Sequence, residues 1–471
     1  MTSGSRLRNG LLAVLTAVFV ASGGQTPAQA AATSPDLGDF RLRHASNQDD
    51  LQSRVYELDG ELPTVGVQEL LDTANRTAVQ SSDSGTCNPG ATNSLPLHGT
   101  SYCFAGSDGG TVGEPPEWMP QGITTVADAQ SDQRWGSKRA VLVSWYDKAP
   151  GDGGQSGGDA DETKGCRVTF LDPDTLKYRH VLLVYPYQNS YQNPTYMSLR
   201  TSQTSEGESL HCGGMAWYGN YLYVADTARG FRVFDMRHIY DLGAATNGDT
   251  SDKYRIGRHD GVYYAHGYRY VMPEVNAWTT TVKRTGCLDG GGPNFSYVGL
   301  DRSGLDHLTT GEYCASTFAD PDGDGVKDPD RMGRVARWPL DGAYGTPLLA
   351  SDGYWYADAA YRLPQSNIQG AVSYNGRWYL NRSRGDQNNG VLYVTKPVTS
   401  STGVLEIESA HRAAVGVEDL SHWPGTDRSA GDLWTVTEHE GKRMIYACPI
   451  SELDSATRGG EICGLWPSPP A

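Results

Sequence analysis

The chain has 471 residues, 38% of them hydrophobic and 20% charged, with 55 Asp and Glu against 39 Lys and Arg for a formal net charge of −16. That balance excludes nucleic acid and anionic lipid as natural partners, because both need a basic footprint, and it makes cations the more natural guests. The 57 glycines, 27 tyrosines and 11 tryptophans suit many short aromatic strands joined by tight turns.

Residues 1–30 read as an export signal: Arg6 and Arg8 precede an apolar run from Leu11 to Ala21, and Ala28-Gln29-Ala30 supplies a small-residue stop. The run is shorter than the roughly 20 residues of a membrane span, and no later stretch qualifies. The mature chain is therefore expected to be secreted, extracellular, without membrane insertion, and monomeric. All 8 cysteines lie beyond this segment, and an even count in an oxidising compartment makes structural disulfides the default. Local pairing joins Cys87 with Cys103, Cys166 with Cys212, Cys287 with Cys314 and Cys448 with Cys463, one of about 105 possible connectivities.

Residues 31–98 read as a partly helical N-terminal extension. Leu51, Val55 and Leu58, then Val67, Leu70 and Leu71, recur at helical spacing on either side of Pro63. From residue 99 to 471 the pattern changes to runs of β-branched and aromatic residues separated by Gly, Asp, Asn and Pro, which is the strand signature. A short phrase recurs there: a polar residue, a glycine, an apolar residue. It stands at Gln121-Gly122-Ile123, Gly213-Gly214-Met215, Asp260-Gly261-Val262 and Gln369-Gly370-Ala371, with a weaker copy at Glu418-Asp419-Leu420. Self-similarity of this kind marks a repeat architecture. A second strand follows each phrase, ending at Asp147, Asp226, Glu274, Arg382 and Glu438, and a third follows that. The fold class expected is all-β, a five-bladed β-propeller, with a sixth blade left open by the unequal spacing. Thr100–Phe104 is the candidate strand for closing the last blade from the other end of the chain.

Antiparallel hairpins bring the start of each inner strand to the face where the second strand ends. Gln121, Asp260, Gln369 and Glu418 should therefore share one channel mouth with Asp147, Asp226, Glu274, Arg382 and Glu438. His211, two residues before Gly213, stands in for the missing side chain there. Polar channel rims are common in plain binding scaffolds, so this convergence has a bland explanation as well. Its functional reading is an acid/base pair, with His211, Asp260, Glu418, Gln121 and Gln369 catalytic and the second ring binding substrate, or else a site for a second divalent metal. Trp118, Trp145, Tyr146, Trp217, Trp278, Trp355 and Tyr356 are candidates for stacking on sugar, against the commoner role of packing between blades. Asn381-Arg382-Ser383-Arg384 offers guanidinium forks for a carboxylate or phosphate.

Asp320, Asp322, Asp324 and Asp328, with Gly325 and the carbonyl of Val326, fall at positions 1, 3, 5, 9, 6 and 7 of a 12-residue calcium loop. Over this segment the chain resembles the loops of the EF-hand, dockerin and thrombospondin type 3 families, and the resemblance implies a structural calcium. It departs from the EF-hand at position 12, where Arg331 replaces glutamate. Gly154-Gln155-Ser156-Gly157-Gly158 fits the nucleophile-elbow spacing but lacks the strand and helix an elbow requires.

The blade phrases with the export signal resemble the secreted β-propeller proteins common in actinobacteria. The phrase is also distantly similar to the calcium-dependent lactonase and gluconolactonase group, whose ring holds a metal through Glu, Asn and Asp; Gln121, Gln369 and His211 occupy much of that ring here. The expected function is a hydrolase acting on a glycan or a small ester or lactone at the mouth. The alternative is a noncatalytic extracellular propeller that binds carbohydrate or protein, and a third reading is a structural protein whose long insertions make the contacts.

Overall fold

The computed structural model describes residues 32–81, 85–109, 117–148, 163–202, 209–284, 286–287, 290–323, 325, 327–426, 429–455 and 459–470. The export segment and the Gly154–Gly158 phrase lie outside them. Among the described residues no helix is long and apolar enough to cross a membrane.

The protein is an all-β, five-bladed β-propeller. Blade one is built from Trp118–Thr125, Val141–Asp147, Cys166–Asp172 and Lys177–Gln188, each paired antiparallel with the next. Blade two uses Met215–Tyr218, Tyr221–Asp226, Gly230–Asp235 and, after a long excursion, Tyr270–Thr280. Blade three runs Tyr297–Asp301, His307–Gly311, Arg334–Asp341 and Ala359–Arg362, and blade four Ile368–Tyr374, Arg377–Arg382, Asn389–Thr395 and Ile407–Val415. Blade five has three consecutive strands, Val417–Trp423, Asp432–Thr437 and Ile445–Pro449, and takes its fourth from Ser101–Cys103. The expected closing strand is therefore present, with Tyr102 opposite Ile445.

The extension straps the rims of the blades. Arg41–His44 pairs with the outer strand of blade two, Arg76–Thr77 with that of blade one, and Val79–Ser81 with the closing strand. The helix Gln48–Asp59 buries Leu51, Val55 and Leu58, and Val67–Asp72 buries Val67, Leu70 and Leu71, the spacing the sequence shows. All four expected disulfides are present. Cys87–Cys103 fastens the closing strand to the extension, and Cys166–Cys212 ties blade one to the start of blade two.

One repeat is misplaced by its sequence. Asp260-Gly261 does not begin an inner strand; it is the two-residue turn between Ile256–His259 and Val262–Ala265 in a small side sheet. Both residues have positive φ, +50° and +85°, the backbone of a type I′ hairpin turn, for which Asp-Gly is a preferred pair. The strand carrying Glu274 is the outer strand of blade two, and the true inner strand of blade three begins at Tyr297, where no polar-Gly pair marks it.

The remaining phrases have a common geometry. In blades one, four and five the inner strand slips register between Pro120 and Ile123, Ile368 and Gly370, and Val417 and Leu420, so Gln121, Gln369 and Glu418 each sit in a β-bulge. A bulge re-aims side chains and bends its strand, here toward the axis. The glycine beside it is fixed by crowding between blades. A Cβ on Gly122 would stand 2.9 Å from Gly214 Cα, one on Gly214 2.3 Å from Val298 N, and one on Gly370 2.8 Å from Asp419 Cα.

Candidate functional site

Blade five breaks the phrase by placing Asp419 where blades one, two and four have glycine. Its fully buried carboxylate points into the axis, where Oδ2 accepts the backbone N–H of Ile123 at 3.2 Å and of Met215 at 3.3 Å. The amides of Leu420 and Val298 also bear on it. These four are the apolar positions that follow the ring residues of blades five, one, two and three. Inner strands leave one edge of N–H groups unpaired, and a single carboxylate satisfies several of them. Burial pushes the Asp419 carboxyl well above the usual carboxylate range, and the amides oppose this. Asp419 is a structural pin that closes the channel floor.

Above it, the mouth brings together Gln121, Gln369, Glu418 and Glu438. Gln121 Nε2 donates to Glu438 Oε2 at 2.8 Å, and Gln369 Nε2 donates to Glu418 Oε1 at 3.2 Å. Glu418 is 1% exposed and hydrogen-bonded to Glu438, whose side chain is 18% exposed. Burial first, then the like charges of Glu438 and Asp419, push the Glu418 carboxyl far above its ordinary value. Like charge beside a buried acid opposes its ionisation, so Glu418 is the acid here that favours its protonated form. No cation partner is shared between them; the nearest is His439, whose Nδ1 lies 3.5 Å from Glu438 Oε1.

His211 stands in the mouth with its ring centroid 4.5 Å from that of Tyr146, the two planes tilted by 36°. It is open to water yet enclosed by the recess, and that enclosure lowers its pKa against the raising effect of Glu438. A cavity of about 310 Å³ adjoins it, lined by His211, Tyr146, Asp226 and Arg284 among others. Tyr313 and Asn367 belong to this constellation and the sequence reading passes over them. Asn367 Nδ2 donates to Tyr313 Oη at 3.2 Å, and the Tyr313 phenol is raised by burial and then by Glu418 and Glu438. Tyr313 follows the second strand of blade three, so correct placement of that blade would have revealed it.

The other ring candidates have other duties. Asp260 is exposed in its side-sheet turn and does not reach the mouth. Asp226 accepts from Arg232 Nε at 2.8 Å, and Glu274 from Arg232 Nη1 at 2.9 Å, forming a buried triad within blade two. Glu312, the corresponding acid of blade three, is likewise bound by Arg334 at 2.9 Å. Second-strand acids in these blades are counterions for arginines on the third strand. Asp147 Oδ2 accepts the Lys164 amide at 2.6 Å. Arg382 turns onto a separate cavity. Of the aromatics, Trp118, Trp145, Trp217, Trp278 and Trp355 are buried between blades, Tyr356 lies at the extension's strand, and Tyr146 alone of the set lines the mouth cavity.

Thr169, His180 and Asp108 form a buried chain, with Thr169 Oγ1 2.8 Å from His180 Nδ1 and His180 Nε2 3.1 Å from Asp108 Oδ1. It has nucleophile-base-acid composition, but Asp108 also accepts from Arg76 and Tyr178 and Thr169 accepts from Trp145 Nε1, so the chain anchors the Gly106–Gly109 turn on blade one.

Asp324 and Val326 of the expected calcium loop lie outside the described residues. Of the others, Asp320 Oδ2 accepts the Gly325 amide at 3.1 Å while Oδ1 is buried without a hydrogen-bond partner. Asp328 accepts from Asp330 N and Arg331 Nε. Among the described residues no group of three or more His, Cys, Asp or Glu is arranged to hold a metal.

No protein-family model matches this chain, and no curated protein matches it. Among solved structures, the GH43_1 enzyme from Xanthomonas citri complexed with xylose is similar with a TM-score of 0.32 and 10% identity, covering 88% of this chain and 97% of that one. RS223-Beta-xylosidase is similar with a TM-score of 0.32 and 10% identity, over 75% and 96% of the two chains. CoXyl43, a GH43 beta-xylosidase/alpha-arabinofuranosidase from a compost microbial metagenome, gives 0.29 and 10%, over 65% and 86%.

Proposed function

We propose that the protein is a secreted hydrolase whose reaction takes place at the channel mouth, on a glycan or a small ester or lactone. The observation that carries this is the Glu418–Glu438 pair: one buried carboxyl whose ionisation burial and like charge oppose, beside one partly exposed acid, the two oriented by Gln369 and Gln121.

Direct contact between the two acids, rather than their placement on two sides of a sugar, favours one bond type. Glycosidases that work from two sides of a sugar keep their carboxyl groups about 5 Å or more apart, whereas a hydrogen-bonded pair shares one proton over one reacting centre. Such a pair suits addition of water to a carbonyl, so an ester or lactone of a sugar is the substrate class that the mouth fits best. Glu438 takes a proton from water as its oxygen adds to the carbonyl carbon, and Glu418 gives its proton to the carbonyl oxygen. Collapse of the tetrahedral intermediate expels the alcohol with the proton returned through the pair, leaving one proton on the two carboxyls as before. Tyr146 and His211 supply a wall for the substrate, and the four disulfides suit a chain that works outside the cell.

The test is turnover of nitrophenyl esters, aldonolactones and nitrophenyl glycosides by the purified chain and by Glu418→Gln and Glu438→Gln variants. Each variant should lose about 10²- to 10⁴-fold in kcat while keeping the wild-type far-UV spectrum. A wild-type chain that turns over none of these substrates, or a Glu418→Gln variant as fast as wild type, sinks the reading and favours a noncatalytic binder.

A further inference from the structure

A second cavity, of about 400 Å³, lies away from the channel axis between blade four and the C-terminal segment. Its wall is built rather than accidental: Trp466 N donates to Ala410 O at 2.7 Å, Arg412 N to Gly464 O at 2.9 Å, and the Arg412 guanidinium lies 3.9 Å over the Trp466 ring. Arg382 lines this cavity, is 5% exposed, and its Nε is buried without a hydrogen-bond partner.

Four other buried arginines each have a partner for at least one guanidinium nitrogen, although the Nε of Arg167 is also without one. Arg232 has Asp226 and Glu274, and Arg334 has Glu312. Arg362 donates to Asp330 O, and Arg167 to Tyr268 Oη with its guanidinium 4.4 Å over Trp118. Among the described residues Arg382 shows no hydrogen bond, ion pair or ring contact. An unpaired buried guanidinium costs several kcal/mol of lost hydration, in a chain with 55 carboxylates available to pair it.

We propose that the Arg382 cavity is a binding site for a monocarboxylate of sugar-acid size. One guanidinium fork matches one carboxylate. Gln365 and Ser409 offer hydrogen bonds to hydroxyls, and Tyr393 and Pro467 offer apolar faces for a ring, while Glu408 on the rim is already paired with Arg377. The volume is that of a small-ligand site. This inference does not depend on the hydrolase reading.

The experiment measures binding by calorimetry to the full chain carrying Glu418→Gln, so that turnover has no part in the signal, with D-glucuronate, D-glucose and inorganic phosphate as probes. Glucuronate should bind and glucose should not; Arg382→Lys should weaken glucuronate, and Arg382→Met should weaken it by on the order of tenfold to a hundredfold. The ligand-free Arg382→Met protein should melt no lower than its parent, because an unpartnered charge is replaced by an apolar stem of similar reach. The proposal is overturned if glucuronate and glucose bind alike or neither binds, if phosphate binds more tightly than glucuronate, if Arg382→Met binds as its parent does, or if the ligand-free variant melts several degrees lower, which would show a structural partner for Arg382.

Discussion

Replacing Asp419 with alanine tests whether one carboxylate holds the inner strands together. The substitution removes the acceptor for Ile123 N–H and Met215 N–H, at 3.2 and 3.3 Å, and withdraws it from Leu420 and Val298 as well. A buried donor left without an acceptor costs about 1–3 kcal/mol, so the two direct bonds alone predict a loss of roughly 2–6 kcal/mol. With an unfolding entropy of about 2.1 cal/mol/K per residue, a chain of this size loses about 1 °C per kcal/mol, so the melting temperature should fall by roughly 2–6 °C in calorimetry with disulfides intact. Asp419→Asn separates charge from acceptor. If burial keeps the carboxyl neutral, asparagine should retain most of the stability at neutral pH, whereas it should behave like alanine if the site needs a full negative charge. An Asp419→Ala protein that melts within about half a degree of wild type would refute the pin, because the amides would then have found water or one another.

Gly214→Ala should be worse than Gly122→Ala, since its Cβ would meet the Val298 and Tyr297 backbone at 2.3 and 2.5 Å whereas that of Gly122 has a hydroxyl at 2.6 Å that can rotate aside; overpacking costs typically about 1–3 kcal/mol, readable by chemical denaturation. For Glu418 the native pKa is raised above its unfolded value, so between those two values the native state binds more protons and stability falls as pH rises. Glu418→Gln should flatten that slope by up to about 1.4 kcal/mol per pH unit, and melting curves across acidic to neutral pH check it. The hydrolase rate should likewise fall as pH climbs through the raised value of the pair, because the single shared proton is lost. We propose one structural calcium at the Asp320–Asp328 loop on its oxygen spacing: metal analysis should find about one equivalent, a chelator should lower the melting temperature, and Asp320→Ala should abolish that response. Breaking the buried triad with Glu274→Gln should cost about 3–5 kcal/mol, since Arg232 would keep a single carboxylate.

Much of the architecture is legible because it is local. Alternating apolar runs and Gly-rich turns mark strands, the spacing of Leu51, Val55 and Leu58 marks a helix, and each cysteine pairs with the next one along the chain. The mouth is partly legible for the same reason: hairpin geometry places Gln121, Gln369, Glu418 and Glu438 at one rim, and the packing of the blades then decides which of them touch. Asp-Gly misleads at Asp260 because two unrelated needs select it, a type I′ turn and a glycine at a crowded axis, and a single sequence does not separate them. Asp226 and Glu274 share the composition of catalytic acids, and only the position of Arg232 shows that they are counterions.

The sequence by itself marked most of the strands and made local disulfide pairing the simplest choice, since each depends on neighbours along the chain. Tertiary structure alone decided which carboxylates keep company. Protonation, pairing and access depend on distances between blades that are far apart in sequence, and on how much water burial removes. That is why Glu418 faces Glu438 as an acid, Asp419 became a pin, and Arg382 was left without a partner.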